Sequence, residues 1–157
     1  MSDARYEEGA ESPLSLVVTD IEDLAVASAL LQDAVFTGAD IRFDAKRREF
    51  GLLLNRFRWE DRAAAERAGR AYERVRAVLV FRDVRSVKSQ GLSKDGDMVL
   101  SLLSLGFEAG TEGAGRVVLT LAGDGAVALE VEALNADLRD VTRPYAAPSR
   151  KVPDHGA

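Results

Sequence analysis

The sequence predicts an α+β domain: a curved antiparallel sheet of about six strands with one main helix packed on it. Three observations carry this. Short runs rich in β-branched residues recur along the chain, separated by turn residues. One strong helical period appears, early, over residues 21–36. The strands that follow it are joined as successive hairpins. The alternative is a small barrel of pleckstrin-homology-like shape, which closes the sheet and removes its edges.

The elements follow in order. Residues 1–13 form a charged arm with Gly9 and Pro13 and no periodicity. "LSLVVT" (14–19) is apolar and β-branched, a buried strand. Thr19 with Glu22 three residues on is a capping-box pattern. The helix then spans about 21–36. Ile21, Leu24, Ser28, Leu31 and Val35 fall on one stripe, widened by Val26, Ala27 and Leu30, and Gly38 is the stop.

Ile41 and Phe43 alternate, a polar turn covers 44–48, and Phe50 opens a second strand, so 41–57 reads as a hairpin. "EDRAAAERAGRAY" has helix-forming composition, Asp61 as N-cap and Glu66 four before Arg70. Gly69 and the lack of apolar residues limit it to a short helix or ordered loop. In "VRAVLVF" (75–81), Val75, Ala77, Leu79 and Phe81 share one face, and Arg76, Val78 and Val80 the other. "VRSVKSQG" extends this strand after a break at Asp83.

"MVLSLLSLGF" (98–107) is a further strand, and "EAGTEGAG" a glycine-rich hairpin loop. "RVVLTL" and "AVALEVEAL" are two strands joined by the tight turn "AGDG". Residues 134–141 fit either a strand continued through a bulge or one helical face. The folded domain is therefore 14–141. Residues 142–157, with prolines at 144, 148 and 153, form an extended tail.

Bulk properties narrow the function. The 157 residues, 46% of them hydrophobic, suffice for one domain with a core. There is no cysteine, which removes disulfides, thiolate zinc sites and a cysteine nucleophile and fits a reducing cytosol. No apolar run approaches the roughly 18 residues of a membrane helix, and the acidic start is not a signal peptide. A cytoplasmic protein without membrane contact is expected.

The net charge of −5 is unevenly spread: residues 42–94 hold 15 of the 21 basic groups and 7 of the 26 acids. Such asymmetry marks either a polyanion-binding surface or two regions that neutralise each other on folding.

The catalytic inventory is poor. The one histidine, His155, lies in the tail, so neither a triad nor a two-histidine metal site can be built. Asp20, Glu22 and Asp23 suit helix capping, and Asp95 and Asp97 suit a polar turn without the further ligands of a calcium loop. "GTEGAGR" joins strands and does not open a helix, so it is not a phosphate cradle. No cofactor is expected.

The basic strands remain. Arg56 and Arg58 alternate with Phe57 and Trp59. Arg74, Arg76 and Arg82 share a face, and Arg42, Lys46, Arg47 and Arg48 crowd the first hairpin. An arginine-lined sheet face with aromatics suits single-stranded nucleic acid. The competing reading puts Phe57 in the core, with Arg56 and Arg58 on the solvent side pairing with acids such as Glu130 and Glu132.

Several segments together resemble an uncharacterised bacterial family, domain of unknown function 2948. They are "LVVTDIEDLAVASALLQDAV", "RREFGLLLNRFRWED", "ERVRAVLVFRDVRSVKSQGL", "LSLLSLGFE" and "ALEVEALNADLRDV". The resemblance spans most of 14–141 and is most specific in "LQDAV" and "LNRFRWE". It implies a bacterial, cytoplasmic, single-domain protein and brings no activity, ligand or catalytic residue. Its proline–histidine endings imply a tail that docks on the domain.

The reading that follows is a non-catalytic binding domain whose partner is another protein. The first alternative is RNA or single-stranded DNA binding through Arg47, Arg48, Arg56, Arg58, Trp59, Arg74 and Arg76. The second is a small-ligand or enzyme role using Asp/Glu and Arg alone.

Overall fold

The computed structural model describes residues 13–92, 95–149 and 151–153. It is antiparallel and sheet-rich, with two helices, as an α+β chain should be, but it carries eleven strands where about six were expected. In chain order they are β1 (Ser15–Val18), β2 (Val35–Thr37), β3 (Ile41–Asp44), β4 (Glu49–Phe57), β5 (Glu73–Phe81), β6 (Val84–Gln90), β7 (Val99–Ala109), β8 (Gly115–Leu121), β9 (Ala126–Val131), β10 (Ala136–Asp140) and β11 (Tyr145–Ala146). The helices are α1 (Ile21–Leu30) and α2 (Arg62–Ala68).

The hydrogen-bonded order is β1-β10-β5-β4-β2-β7-β8-β9-β6, with β3 on β4 and β11 on β5. The path has two ends, β1 and β6. The sheet is thus open and does not form the small closed barrel of the alternative reading. It bends instead at a corner. β6 continues β5 after Arg82–Asp83, and β10 continues β9 after 132–135. At that corner Arg82 N–H donates to the Asn135 carbonyl at 2.8 Å, and Glu132 N–H to that of Asp83 at 3.0 Å. Asp83 turns the chain with a left-handed φ of 58°.

One core lies within the bend. Phe50, Leu52 and Leu54 of β4, with Ala77, Leu79 and Phe81 of β5, supply one side. Val117, Leu119, Leu121, Val127 and Leu129 of β8 and β9 supply the other. The period-2 assignment of Ala77, Leu79 and Phe81 to one face holds, as does that of Val75; all four are fully buried.

Helix α1 is shorter than expected. It ends at Leu30, because Asp33 takes a left-handed φ of 62° and Val35–Thr37 leave to form β2 between β4 and β7. Gly38 opens a 3-10 turn and so does not stop the helix. The cap is shifted by one residue: Asp20 accepts from Asp23 N–H at 2.8 Å, and the Asp23 carboxylate reaches back to Thr19 N–H at 3.2 Å. Leu24, Ala27 and Leu31 pack into the core, and the helix lies against β7 and β1. Ile21 and Val26, placed on the core stripe from the sequence, face solvent.

Helix α2 forms and ends at Gly69 with φ 64°. Asp61 flanks it without a capping bond, since its carboxylate is taken by Arg70. Glu66 pairs with Arg62 at 3.1 Å and does not pair with Arg70. β1 is an edge strand, not a buried one, with Ser15 and Val17 exposed. Residues 136–140 are strand, which resolves the ambiguity at 134–141. Past Val141 the chain runs on along β5: Tyr145 and Ala146 pair with Arg74 and Glu73, and Ala147 N–H donates to the Tyr72 carbonyl at 2.7 Å. His155 lies outside the described residues.

Candidate functional site

Residues paired across antiparallel strands share a face. On the core face of β4, the row Phe50, Leu52, Leu54 ends in Arg56; on β10, the row Ala136, Leu138 ends in Asp140. These two charges meet. Arg56 has no solvent exposure at all. Its Nε and one Nη donate to the two oxygens of Asp140, each at 3.0 Å. Its two Nη groups also donate to Glu60 at 2.9 and 2.8 Å. Asp140 further accepts from Leu14 N–H at 3.0 Å, tying down β1.

The guanidinium is thus gripped by two planar forks, the arrangement that a buried arginine needs. Burial works against its charge, but the two carboxylates overcome this and raise its pKa. Burial likewise pushes the Glu60 carboxyl up; Arg56 outweighs it and holds that carboxyl below its ordinary value.

A second cluster adjoins. The Arg58 guanidinium pairs with Glu73 and lies 3.9 Å from Asp61. Asp61 accepts a fork from Arg70 at 2.7 and 2.6 Å. Those bonds from Arg70 hold the Asp61 carboxyl below its usual range. Trp59 donates its indole N–H to the Gln32 carbonyl at 3.0 Å. Phe57 sits 4.7 Å from the Trp59 ring and 5.5 Å from Tyr72.

Arg56 and Arg58 therefore do not lie on the solvent side, as the alternation suggested. Arg56, Phe57 and Arg58 are buried in succession, because four acids from three separate segments, Glu60 and Asp61, Glu73, and Asp140, fold onto the strand end. Glu130 and Glu132, the expected partners, pair elsewhere: Glu130 with Arg116 at 2.7 Å, and Glu132 with Arg48 at 2.5 Å and Arg85 at 3.3 Å. Arg82 reaches Asp137 at 2.6 Å. Of the basic middle of the chain, Arg48, Arg56, Arg82 and Arg85 pair with acids of residues 132–140, while Arg58, Arg62 and Arg70 pair with acids within the stretch itself.

The remaining candidates are scattered. Arg74 donates to the Asn55 backbone and side-chain oxygens at 3.1 Å, and burial lowers its pKa. The amide of Asn55 in turn donates to the Tyr145 hydroxyl. Arg47 is exposed in the β3–β4 turn, and Arg48 is held by Glu132. Arg76 is exposed on β5; its backbone N–H donates to the Thr142 hydroxyl at 3.0 Å, and its guanidinium has no hydrogen bond or ion pair among the described residues.

Arg76 belongs to a different surface. The face of β1-β10-β5-β4-β2 turned away from the core reads, across the strands, Val17–Asp137–Val80–Gly51–Arg42, then Ser15–Arg139–Val78–Leu53, then Arg76–Asn55–Val35. Its apolar residues are β-branched or leucine, and no helix covers them: α1 packs on the core side. Val17 is 63% exposed, Val99 of neighbouring β7 66%, and Val141 49%. A groove of about 190 Å³ lies at the β2 end of this face, lined by Val35, Thr37, Asp40, Leu53, Asn55, Arg76 and Val99.

The groove lining brings one acid, Asp40, and one base, Arg76, to an otherwise largely apolar surface. Among the described residues no three His, Asp or Glu side chains converge as a metal site, and no helix is long and apolar enough to cross a membrane. The signal for the face was present in "GLLL" and "VLVF", which are apolar on both sides of the strand and break the alternation of a half-solvated sheet.

A family model described as a protein of unknown function, DUF2948, matches residues 14–155. No curated protein and no solved structure matches the chain.

Proposed function

We propose a function for a chain that belongs to the DUF2948 family of proteins of unknown function: it is a non-catalytic protein-interaction domain that binds its partner on the outer face of β1-β10-β5-β4-β2. One observation carries this. Leu53, Val78 and Val80 make β4 and β5 apolar on both sides, yet on the outer side they are only half-buried and Val17, Val99 and Val141 beside them are exposed. Antiparallel strands apolar on both faces are usually buried on both, and a contiguous exposed apolar patch marks an interaction site.

Nucleic acid has less support. The aromatic pair Phe57 and Trp59, which would stack bases, is packed with Tyr72 and tied to Gln32. Arg56 and Arg58 are occupied by carboxylates. The same pairing leaves the acids poor candidates for catalysis. A bacterial cytosol is the proposed setting, consistent with a cysteine-free chain.

The test is site-specific photocrosslinking in native lysate, with a photoreactive residue at position 53 or at position 118, on the outer side of β8. Crosslinks to one defined protein from 53 and none from 118, abolished by Val78→Asp, are expected. Equal labelling from both positions, or none from 53, would sink the proposal.

A further inference from the structure

The face carries charge as well as apolar surface, and that charge selects the partner. Arg42 and Arg76 make no ion pair or side-chain hydrogen bond among the described residues. Arg139 stands 3.6 Å from Asp137, whose other oxygen already serves Arg82. Among the described residues that line the groove the one acid is Asp40; it sits at the end away from Arg76 and accepts from the Thr37 N–H at 2.8 Å and hydroxyl at 3.1 Å. Asp44 and Glu49 face each other across β3 and β4 on the same side as Arg42, so the charge left without a partner among the described residues at the groove itself is Arg76. A second copy would have to offer Asp40 to Arg76, and its own Thr37 N–H and hydroxyl already hold that carboxylate. An acidic partner is complementary.

Resting on the interaction-surface reading above, we infer that the partner docks an extended apolar segment carrying a carboxylate. Its apolar side chains enter the groove between Val35, Leu53 and Val99, and its acid meets Arg76. The groove has space for about one or two aliphatic side chains, and shallow side-chain pockets on a sheet suit an extended peptide. Polarity is fixed as well: the acid lies at the Arg76 end, because Asp40 repels it from the other.

The experiment titrates the ¹⁵N-labelled full chain with three short capped peptides: alternating valine and leucine flanked by glutamate, the same flanked by lysine, and an acidic peptide with serine in place of the aliphatics. Saturable amide shifts at Val35, Leu53, Asn55, Arg76 and Val99 are expected with the first peptide alone. Arg76→Glu should weaken it about fivefold, the scale of one exposed charge contact, and should let the lysine peptide bind. Equal response to the serine peptide, or none to the first, overturns the inference. Crosslinking from position 53 that persists in that case leaves the interaction surface standing and rejects only its chemistry. The chain's own acidic residues 1–12 are the rival occupant. If E7Q/E8Q alone shifts the groove amides, without peptide, the groove belongs to that segment and the inference fails.

Discussion

The two halves of the sheet wrap one core and turn opposite kinds of surface outward. The outer rows of β7, β8, β9 and β6 read Ser104–Thr120–Ala126–Gln90, then Gly106–Val118–Ala128–Lys88, then Glu108–Arg116–Glu130–Ser86. These are small, polar or charged, with one valine. The outer rows of β1, β10, β5, β4 and β2 hold Val17, Val35, Leu53, Val78 and Val80. Both surfaces meet solvent in the isolated chain, so folding alone does not require the second composition. A sheet that needs only one buried face alternates as β8 and β9 do. The departure from alternation in β4 and β5 is what the proposed partner contact would account for.

The arginines show the same division. Arg56 and Arg58 are consumed inside the molecule, whereas Arg42 and Arg76 on the apolar outer face are left without ion pairs among the described residues. Residue type was the same; what differed was which acids the fold brought near.

The largest effect should come from the closed end. Asp140→Ala leaves a fully buried guanidinium with half its partners and releases Leu14, so a loss of about 3–5 kcal/mol in urea unfolding is expected. A loss under about 1 kcal/mol would mean that water replaces the carboxylate and that the pair is not structural.

The next pair of variants separates the two faces of one strand. Leu52→Ala on the core side should cost about 2–5 kcal/mol, and Leu53→Ala, half-buried on the outer side, about 1 kcal/mol or less. Leu53→Ala should cost more than Leu52→Ala only in partner binding. If both variants destabilise the isolated chain equally, the outer face is already covered.

The acid response should be smaller and has a defined sign. Glu60 and Asp61 have folded pKa values below their unfolded ones. Their stabilisation is complete above the ordinary carboxylate range and is lost as pH falls through the folded values, because the unfolded chain then binds more protons. Stability should therefore decline below about pH 5, and Glu60→Gln should flatten that decline in thermal melts. An unchanged slope in Glu60→Gln would assign the acid sensitivity to other groups.

The smallest effect belongs to the polar outer face. Arg116→Ala removes a solvent-exposed pair with Glu130 and should leave the melting midpoint unmoved within error. A clear drop would show that the two outer faces are not as different as their composition indicates.

Much of the fold was legible. The β3–β4 hairpin, the faces of β5, the break at Asp83 and the β8–β9 turn, where Gly123 and Asp124 take φ of 79° and 68°, all follow from local pattern and turn chemistry. The strand count was not, since β2 and β11 have three and two residues and exist only because neighbours hydrogen-bond them. The basic stretch misled for a related reason: alternation says that Arg56 opposes Phe57, but not that both sides of the strand end are covered.

By itself, then, the sequence determined an antiparallel α+β chain, its main hairpins and its poverty in catalytic groups. It also contained the two-sided apolar runs of β4 and β5. Those are properties of a residue and its near neighbours, where period, turn preference and side-chain chemistry act. Only the tertiary structure decided which charges are spent. Arg56 is 84 residues from Asp140, and no local rule reports a contact at that separation. The same folding that buried that pair left Leu53 and Arg76 facing outward, where a partner can meet them.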